Sequence, residues 1–546
     1  MMKRKRALCL VLTTALTVSS LVGLTGCQKK GEKTSSSNDK EFVEYLKTAE
    51  YPIKTDKTLT AWSYRGGTTY GTYKADELPC LKNLEEKTGI KIEWTFANAD
   101  EKQQFNLLVA SGDLPDMISY MWGVNADFPG GPERAIADGY ITPLDDLMND
   151  YAPNFMEYLS DNKLAQRELK TDSGNYYYVP NYVTTKELNG GTSNGYAFRK
   201  DWLDELGLEV PETIDEWYTV LKAFKEKKGA SAPFSLAYSN LSRGMTNPFG
   251  IALGLYNDNG TAKYGYAEEG YRQFLTEMNK WYKEGLIDRN IATIDGKGID
   301  ANILNNKTGA AHYWWSSLRN VNIAGKEKDP DFSLVGVKTP VKNKGDVPKF
   351  VPRDSMVYYA GFAISKDSNN KELAMKFLDY GFSPEGRELM QFGIEGETFV
   401  IEDGQYKFTD LITNNPEGYS VSEATAIYIR NTENIPMIQG GFEDLRANYV
   451  EHDSVDEVNE SMEKWSIQDG SSHKMSHSVA PGVELASEYA KLQTEIGTYA
   501  SEMFLKFILG EEPLKNFDAY LAELNKRGLK RYLEITQDCL DRYQNR

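Results

Sequence analysis

Cysteine is scarce in this chain, with four residues in 546, at positions 9, 27, 80 and 539. That excludes a disulfide framework, and no two of them have the spacing of a CxxC metal or redox pair. Long apolar runs are missing beyond residue 24, so no later segment is expected to cross a bilayer as a helix. Positive charge is in deficit: 62 Lys and Arg face 80 Asp and Glu, a formal net charge of -18. An acidic body of this kind is a poor partner for nucleic acid, and anionic lipid repels it. Aromatic residues, by contrast, are plentiful, with 34 Tyr, 22 Phe and 9 Trp. With 40% hydrophobic residues the chain can bury a large core, and its length implies two or more lobes.

The first 26 residues have the layout of a secretory signal: basic Lys3, Arg4, Lys5 and Arg6, then an apolar segment from Ala7 to Leu24, then small residues. Removing them strips four positive charges and no acid, which takes the net charge to -22. Leu24-Thr25-Gly26-Cys27 resembles the bacterial lipobox, in which the cysteine is acylated and becomes the first residue of the mature protein. Cys27 is accordingly expected to carry a lipid. Gln28 to Lys40 contains no apolar residue, so residues 27–57 are expected to be a flexible tether spanning roughly 30 Å. Of the remaining cysteines, a single bridge between Cys80 and Cys539 is left open.

From Leu59 onward, short β-rich runs alternate with amphipathic helices, the pattern of an α/β fold with a largely parallel sheet. Strands are predicted at 59–64, 91–96, 116–121, 195–200, 310–315, 332–337 and 358–365. Leu78, Leu81 and Leu84 line a helix that stops at Gly89, and Phe105, Leu108 and Val109 line the next. Thr213 and Glu216 have the spacing of a capping box ahead of Ile214, Trp217, Leu221 and Phe224, whose spacing makes one buried helix face. Trp217 is therefore expected in the core. Asn259-Gly260 reads as a hairpin turn. The C-terminal part is helical, with Leu485, Tyr489, Leu492, Ile496, Tyr499 and Met503 recurring every three or four positions and Phe517, Leu521 and Leu524 following Pro513.

The blocks "LVASGDLPDMI", "ADGYITPLDDL", "FRKDWLDELGLEVPETIDEW", "WYKEGLID" and "GFAISKDSNNKELAMKFLDYGFSPEGRELMQFGIEGE" resemble those of the bacterial extracellular solute-binding proteins that feed carbohydrate ABC importers, in the large lipoprotein branch related to alginate-binding proteins. The resemblance implies a two-lobed α/β binding-protein fold, each lobe a mixed sheet flanked by helices, with the ligand in the cleft between them. It implies a first lobe of residues 58–183 plus 341–410 and a second of 184–340 plus 411–546. It further implies a saccharide ligand, permease subunits of an ABC importer as partners, attachment to the membrane through the lipid alone, and a monomer. No cofactor and no catalytic centre are expected. Several relatives carry an acidic calcium loop where this chain has "KEKKGASAPFSLAY" at 225–238. Without an Asp/Asn-rich set of oxygen ligands there, no calcium site is expected.

Three patterns suggest chemistry. Gly191 to Gly195 matches G-x-S-x-G, but a nucleophile elbow follows a strand and opens a helix, whereas this stretch follows a polar segment and opens a strand. His473 and His477 have the spacing of a metal pair, but their surroundings read as a loop with no carboxylate or thiolate alongside. Asp113 and Asp116, in "SGDLPD", fit a backbone turn before a strand better than an acid/base pair.

The aromatic residues point further. A saccharide site needs flat aromatic platforms flanked by hydrogen-bonding side chains. Candidates at strand ends are Trp62, Tyr64 and Arg65 before two glycines, and Trp122 with Asn125. By the resemblance, the second lobe places a sugar platform at Trp314 or Trp315, of which alternation lets one face the ligand. Arg353, Asp354 and Tyr358, near the return to the first lobe, and Trp465 complete the set. The expected function is capture of a mono- or oligosaccharide by lobe closure. The alternatives are a glycoside hydrolase, which needs two carboxylates across the cleft, or a binding protein for a peptide or other non-sugar solute.

Overall fold

The computed structural model describes residues 37–64, 77–97, 100–123, 128, 131–184, 192–351, 355–430, 436–439, 455–469, 473–482 and 484–546. Cys27, Arg65, Asn125, Arg353 and Asp354 lie outside these. The chain divides into two units, residues 1–45 and 46–546. The described part of the first is the start of the helix Ser37–Thr48, in which the rings of Phe42 and Tyr45 meet at 6.1 Å.

The second unit begins earlier than the sequence suggests. Leu46 and Ile53 are buried, the Ile53 amide donates to Thr88 O at 2.8 Å, and the Tyr51 hydroxyl donates to Lys376 O at 2.6 Å. Residues 46–57 therefore belong to the folded body and not to a tether. The apolar side chains at 42, 46 and 53 are what the polar run ahead of them obscures.

In chain order the strands are β1 (Thr58–Ser63), β2 (Lys91–Phe96), β3 (Met117–Tyr120), β4 (Val179–Pro180), β5 (Tyr182–Thr184), β6 (Asn194–Arg199), β7 (Phe234–Ser235), β8 (Leu255–Asp258), β9 (Thr261–Tyr264), β10 (Ala310–Trp314), β11 (Leu334–Gly336), β12 (Gly361–Ile364), β13 (Phe399–Glu402), β14 (Gln405–Phe408) and β15 (Met437–Gln439). Five form one sheet in the order β2-β1-β3-β12-β4, and four form another in the order β11-β6-β10-β7. In the first, β1 runs parallel to β2 and β3, while β12 is antiparallel to β3 and β4. In the second, β6 is antiparallel to both β10 and β11, and only β7 is parallel to β10. Both sheets are therefore mixed and neither is largely parallel: two of four pairings in the first and one of three in the second are parallel. β8 and β9 close on Asn259 (φ 51°) and Gly260 (φ 93°), the left-handed pair that a two-residue hairpin turn demands.

The second sheet is buried by helices whose apolar faces are legible in their spacing. Thr213 caps the helix Ile214–Lys227 with a reciprocal Thr213–Glu216 box, and Trp217, Leu221 and Phe224 point inward. They share one core with Tyr271, Phe274 and Trp281 of the helix Glu269–Lys283, and with Phe504 and Phe507 of Ala486–Leu509. Each such side chain contributes roughly 1.5–3 kcal/mol when fully buried. The helix Glu101–Ser111 buries only Phe105; Leu108 and Val109 are half-buried and Leu107 is 63% exposed.

Two segments pack differently from the expected lobe boundaries. Residues 411–430 and 436–439 lie with the first sheet: Cys80 Sγ donates to Ala426 O at 3.6 Å, Arg430 Nη1 to Met390 O at 3.3 Å, and β15 pairs parallel with β5. Residues 341–350 lie with the second, since Asn247 Oδ1 accepts from the amides of Lys349 (2.9 Å) and Phe350 (3.0 Å). Cys80 and Cys539 are both buried and unbridged.

A polar knot ties the segment 168–172 to the C-terminal helix Leu529–Gln544 and to residues 476–480. Glu168 accepts from Ser476 Oγ at 2.5 Å and from the Tyr543 hydroxyl, and its carbonyl accepts from Ser478 Oγ at 2.6 Å. Asp172 accepts from Arg542 Nε at 2.8 Å and from Arg546 Nη2 at 2.5 Å.

Candidate functional site

The chain leaves β5 for β6 and returns from β11 to β12. The two crossings are tied together: the Tyr358 amide donates to Tyr182 O at 3.0 Å and the Thr184 amide to Met356 O at 2.9 Å. Each sheet presents particular strand ends beside these crossings. For the first sheet these are the carboxyl ends of β1 and β3 and the start of β12, since Gly361 pairs with Tyr120. For the second they are the start of β6 and the end of β10, since Asn194 pairs with Trp314.

On the first sheet, most of the expected platforms form a floor beneath this edge. Trp62 is 5% exposed, with its ring 6.0 Å from Phe105 and 6.1 Å from Tyr120. Phe105 stacks on Tyr120 at 3.7 Å, and Tyr64 meets Tyr120 edge-on at 5.9 Å. Trp122 stacks with Phe128 at 6.1 Å, and its indole N–H donates to Ile118 O at 2.9 Å. Trp62, Tyr64 and Trp122 are thus core aromatics, all three buried and packed ring against ring. Tyr358 is half-buried at the edge. It stacks on Tyr182 at 4.2 Å and touches Tyr359 at 4.5 Å. The Tyr359 carbonyl accepts from the Gly123 amide at 2.7 Å. A side chain at Gly123 would come within 2.9 Å of Tyr359 Cα, so only glycine permits that approach.

On the second sheet, the two tryptophans separate. Trp314 ends β10 and is 46% exposed, the most exposed tryptophan of the described chain. Trp315 opens the helix Trp315–Lys326, donates its amide to Ser193 O at 3.0 Å and packs on the neighbouring core. Trp465 is also core: it is 1% exposed, its indole N–H donates to Tyr196 O at 2.8 Å, and it covers Gly195.

Three further residues surround Trp314 that sequence reasoning missed. The Arg243 guanidinium lies 5.6 Å from the Trp314 ring centre, and its Nη1 donates to Asn194 Oδ1 at 3.4 Å. His312 Nε2 lies 3.1 Å from the same oxygen. Arginine can only donate, so the Asn194 atom it meets is the amide oxygen, and His312 must then donate from Nε2. Burial, reinforced by the Arg243 charge, pushes the His312 pKa down to about 3 and keeps the ring neutral. The register of β6 on β10 creates this cluster, and the only sequence signal for it was Asn194 within the G-x-S-x-G match.

The other patterns are structural. Ser193 precedes a strand, and the nearby imidazole of His312 bonds Asn194. His473 Nδ1 lies 3.2 Å from Asn257 O, whereas the His477 ring lies against Tyr359 at 5.1 Å, so the two engage different partners. Asp116 fastens β1 to the residues after β12, accepting from the Thr60 amide at 2.8 Å and from Ser368 Oγ at 2.6 Å. Residues 225–238 form a helix end and β7, and their charged side chains are Lys225, Glu226, Lys227 and Lys228. Among the described residues no cluster of His, Cys, Asp and Glu could hold a metal ion, and no helix is long and apolar enough to cross a membrane.

Two α/β bodies between which the chain passes three times, with polar and aromatic side chains at strand ends beside the crossings, define a two-lobed binding protein that holds its ligand between sheets. The chain belongs to the bacterial extracellular solute-binding proteins, whose family profile matches residues 61–388. It is 24% identical over 572 residues to the fructooligosaccharide ABC transporter substrate-binding protein FusA of Streptococcus pneumoniae, covering 97% of this chain and 98% of that one. It is 26% identical over 500 residues to lipoprotein LipO of Bacillus subtilis, covering 86% and 90%. Among solved structures, the alginate-binding protein AlgQ2 without calcium superposes with a TM-score of 0.71 at 27% identity, over 90% of this chain and all of that one.

Proposed function

We propose that this protein captures a saccharide between its two lobes outside the cell and delivers it to the permease of an ABC importer, without chemical change. The observation that carries this reading is Trp314: a large aromatic plate, exposed at the end of a strand beside the crossings and flanked by Arg243 and Asn194. Apolar sugar faces stack on such a plate while their hydroxyls meet the flanking groups. Tyr358 and Tyr359 supply the opposite wall. The sugar-binding relatives and the order of the family blocks support the same reading.

In this reading the first lobe comprises residues 46–184 plus 355–439 and the second 192–351 plus 455–546. This moves the expected boundaries to follow the packing of 341–350, 411–430 and 436–439. The chain acts as a monomer attached to the membrane through lipid on Cys27. A thermal-shift screen of oligosaccharides and peptides tests the function. A cognate ligand at 100 times its dissociation constant adds about 2.7 kcal/mol of stability. Stabilisation by peptides alone would overturn the saccharide assignment.

A further inference from the structure

Arg243 pairs with no carboxylate among the described residues, and it lies beside the exposed ring of Trp314. Several other arginines are paired: Arg199 with Asp201 at 2.5 Å, Arg531 with Glu488 at 2.9 Å, and Arg542 with Asp172 at 2.8 Å. Among the described residues Arg243 meets only the ring of Trp314 and the amide oxygen of Asn194. Its contact to Asn194 is long, at 3.4 Å, so most of the donor capacity of the guanidinium fork remains unspent.

Asn194 adds to the imbalance. Its amide oxygen receives both Arg243 and His312, which turns its NH2 group away from them, and no described residue accepts from that group. The nearby carbonyls are already engaged: Ser193 O accepts from the Trp315 amide at 3.0 Å and Asn240 O from the Tyr196 hydroxyl at 2.7 Å. The surroundings of Trp314 therefore offer a cation and amide donors beside an apolar plate, with few free acceptors. A neutral sugar hydroxyl both donates and accepts, and only half of that is matched here. A carboxylate only accepts, and a guanidinium fork matches it in plane with two parallel bonds.

We infer that the ligand is an acidic saccharide, with a uronic acid ring stacked on Trp314 and its carboxylate held by Arg243 and the Asn194 amide. This rests on the saccharide reading above and narrows it.

The test is calorimetry on the full chain in detergent. The ligands are trimers of galacturonate, mannuronate and glucuronate, their methyl esters, neutral trisaccharides and a sulfated neutral trisaccharide. At least one uronate should bind about 10- to 100-fold more tightly than its own ester, the difference a charge-assisted pair produces. Arg243→Gln should cost the uronate about 10-fold or more beyond what it costs the ester, with the melting temperature near the parent's, and Arg243→Lys should restore only part of the preference. Equal binding of acid and ester, an equal loss of both in Arg243→Gln, or a sulfated sugar that binds as well as the uronate would each overturn the inference while leaving the saccharide reading in place. If none of these saccharides binds, the saccharide reading falls and this inference falls with it.

Discussion

Trp314 and Trp315 are adjacent in the chain and opposite in environment, because the strand ends at the first and a helix begins at the second. Trp314→Ala should weaken ligand binding by about 1–3 kcal/mol, roughly 5- to 150-fold, with little change in unfolding. Trp315→Ala should instead lower the unfolding midpoint, since its ring packs on the core. Calorimetry and urea unfolding on both variants separate the two effects. Two buried groups should give opposite pH signatures. The His312 pKa is pushed down from 6.5 to about 3 by burial. Its contribution to stability is present above pH 6.5 and is lost as pH falls toward 3, on the order of 5 kcal/mol in all. Burial raises the Asp379 pKa from 3.8 to about 6, against the bonds it accepts from Phe155 N and Asn154 Nδ2. Its contribution, about 3 kcal/mol, is full below pH 3.8 and is lost as pH rises through 6. Urea midpoints across pH 3 to 8 should lose the first slope in His312→Gln and the second in Asp379→Asn. Little of the site was legible at this scale. Residue type marked Trp62, Tyr64 and Trp122 as platforms, but β1 buries Ala61, Trp62 and Ser63 in succession. Arg243 and His312 gave no signal, because their roles depend on which residue β6 places opposite β10.

At the scale of elements, the helix Val455–Trp465 meets β6 through one close approach. A Cβ added at Gly195 would lie 2.3 Å from Trp465 Cδ1, inside a ring fixed by its own hydrogen bond. Gly195→Ala should destabilise by about 1–3 kcal/mol through overpacking. Gly497, in the helix Ala486–Leu509, has open space around the same position, so Gly497→Ala should stabilise by about 0.5–1 kcal/mol. The pair of midpoints checks both. The sequence was most informative where the signal is local: the capping box at Thr213, the Asn259-Gly260 turn and the helix stop at Gly89 (φ 71°) all depend on neighbours within four residues. Strand direction in the second sheet was not legible, since β6 finds β10 more than a hundred residues away in the chain. The helix Ser37–Thr48 was masked by the polar run before it.

For the whole molecule, lipid attachment predicts that Cys27→Ser moves the protein from the membrane fraction to unprocessed or released forms; unchanged lipid labelling would rule the anchor out. The two-lobed plan was legible because the family blocks run along nearly the whole chain. The exact partition was not, because segments 341–350, 411–430 and 436–439 are placed by contacts with residues far away in sequence. The knot at Glu168 and Asp172 has a mechanical consequence. It joins the body of the first sheet to the C-terminal helix with ion pairs and hydrogen bonds. A hinge needs a fulcrum, and a fastening between two moving bodies supplies one, so travel on closure grows with distance from it. Distance probes spanning the knot would then record almost nothing on ligand addition, while probes between Trp314 and Tyr358 would record the full stroke.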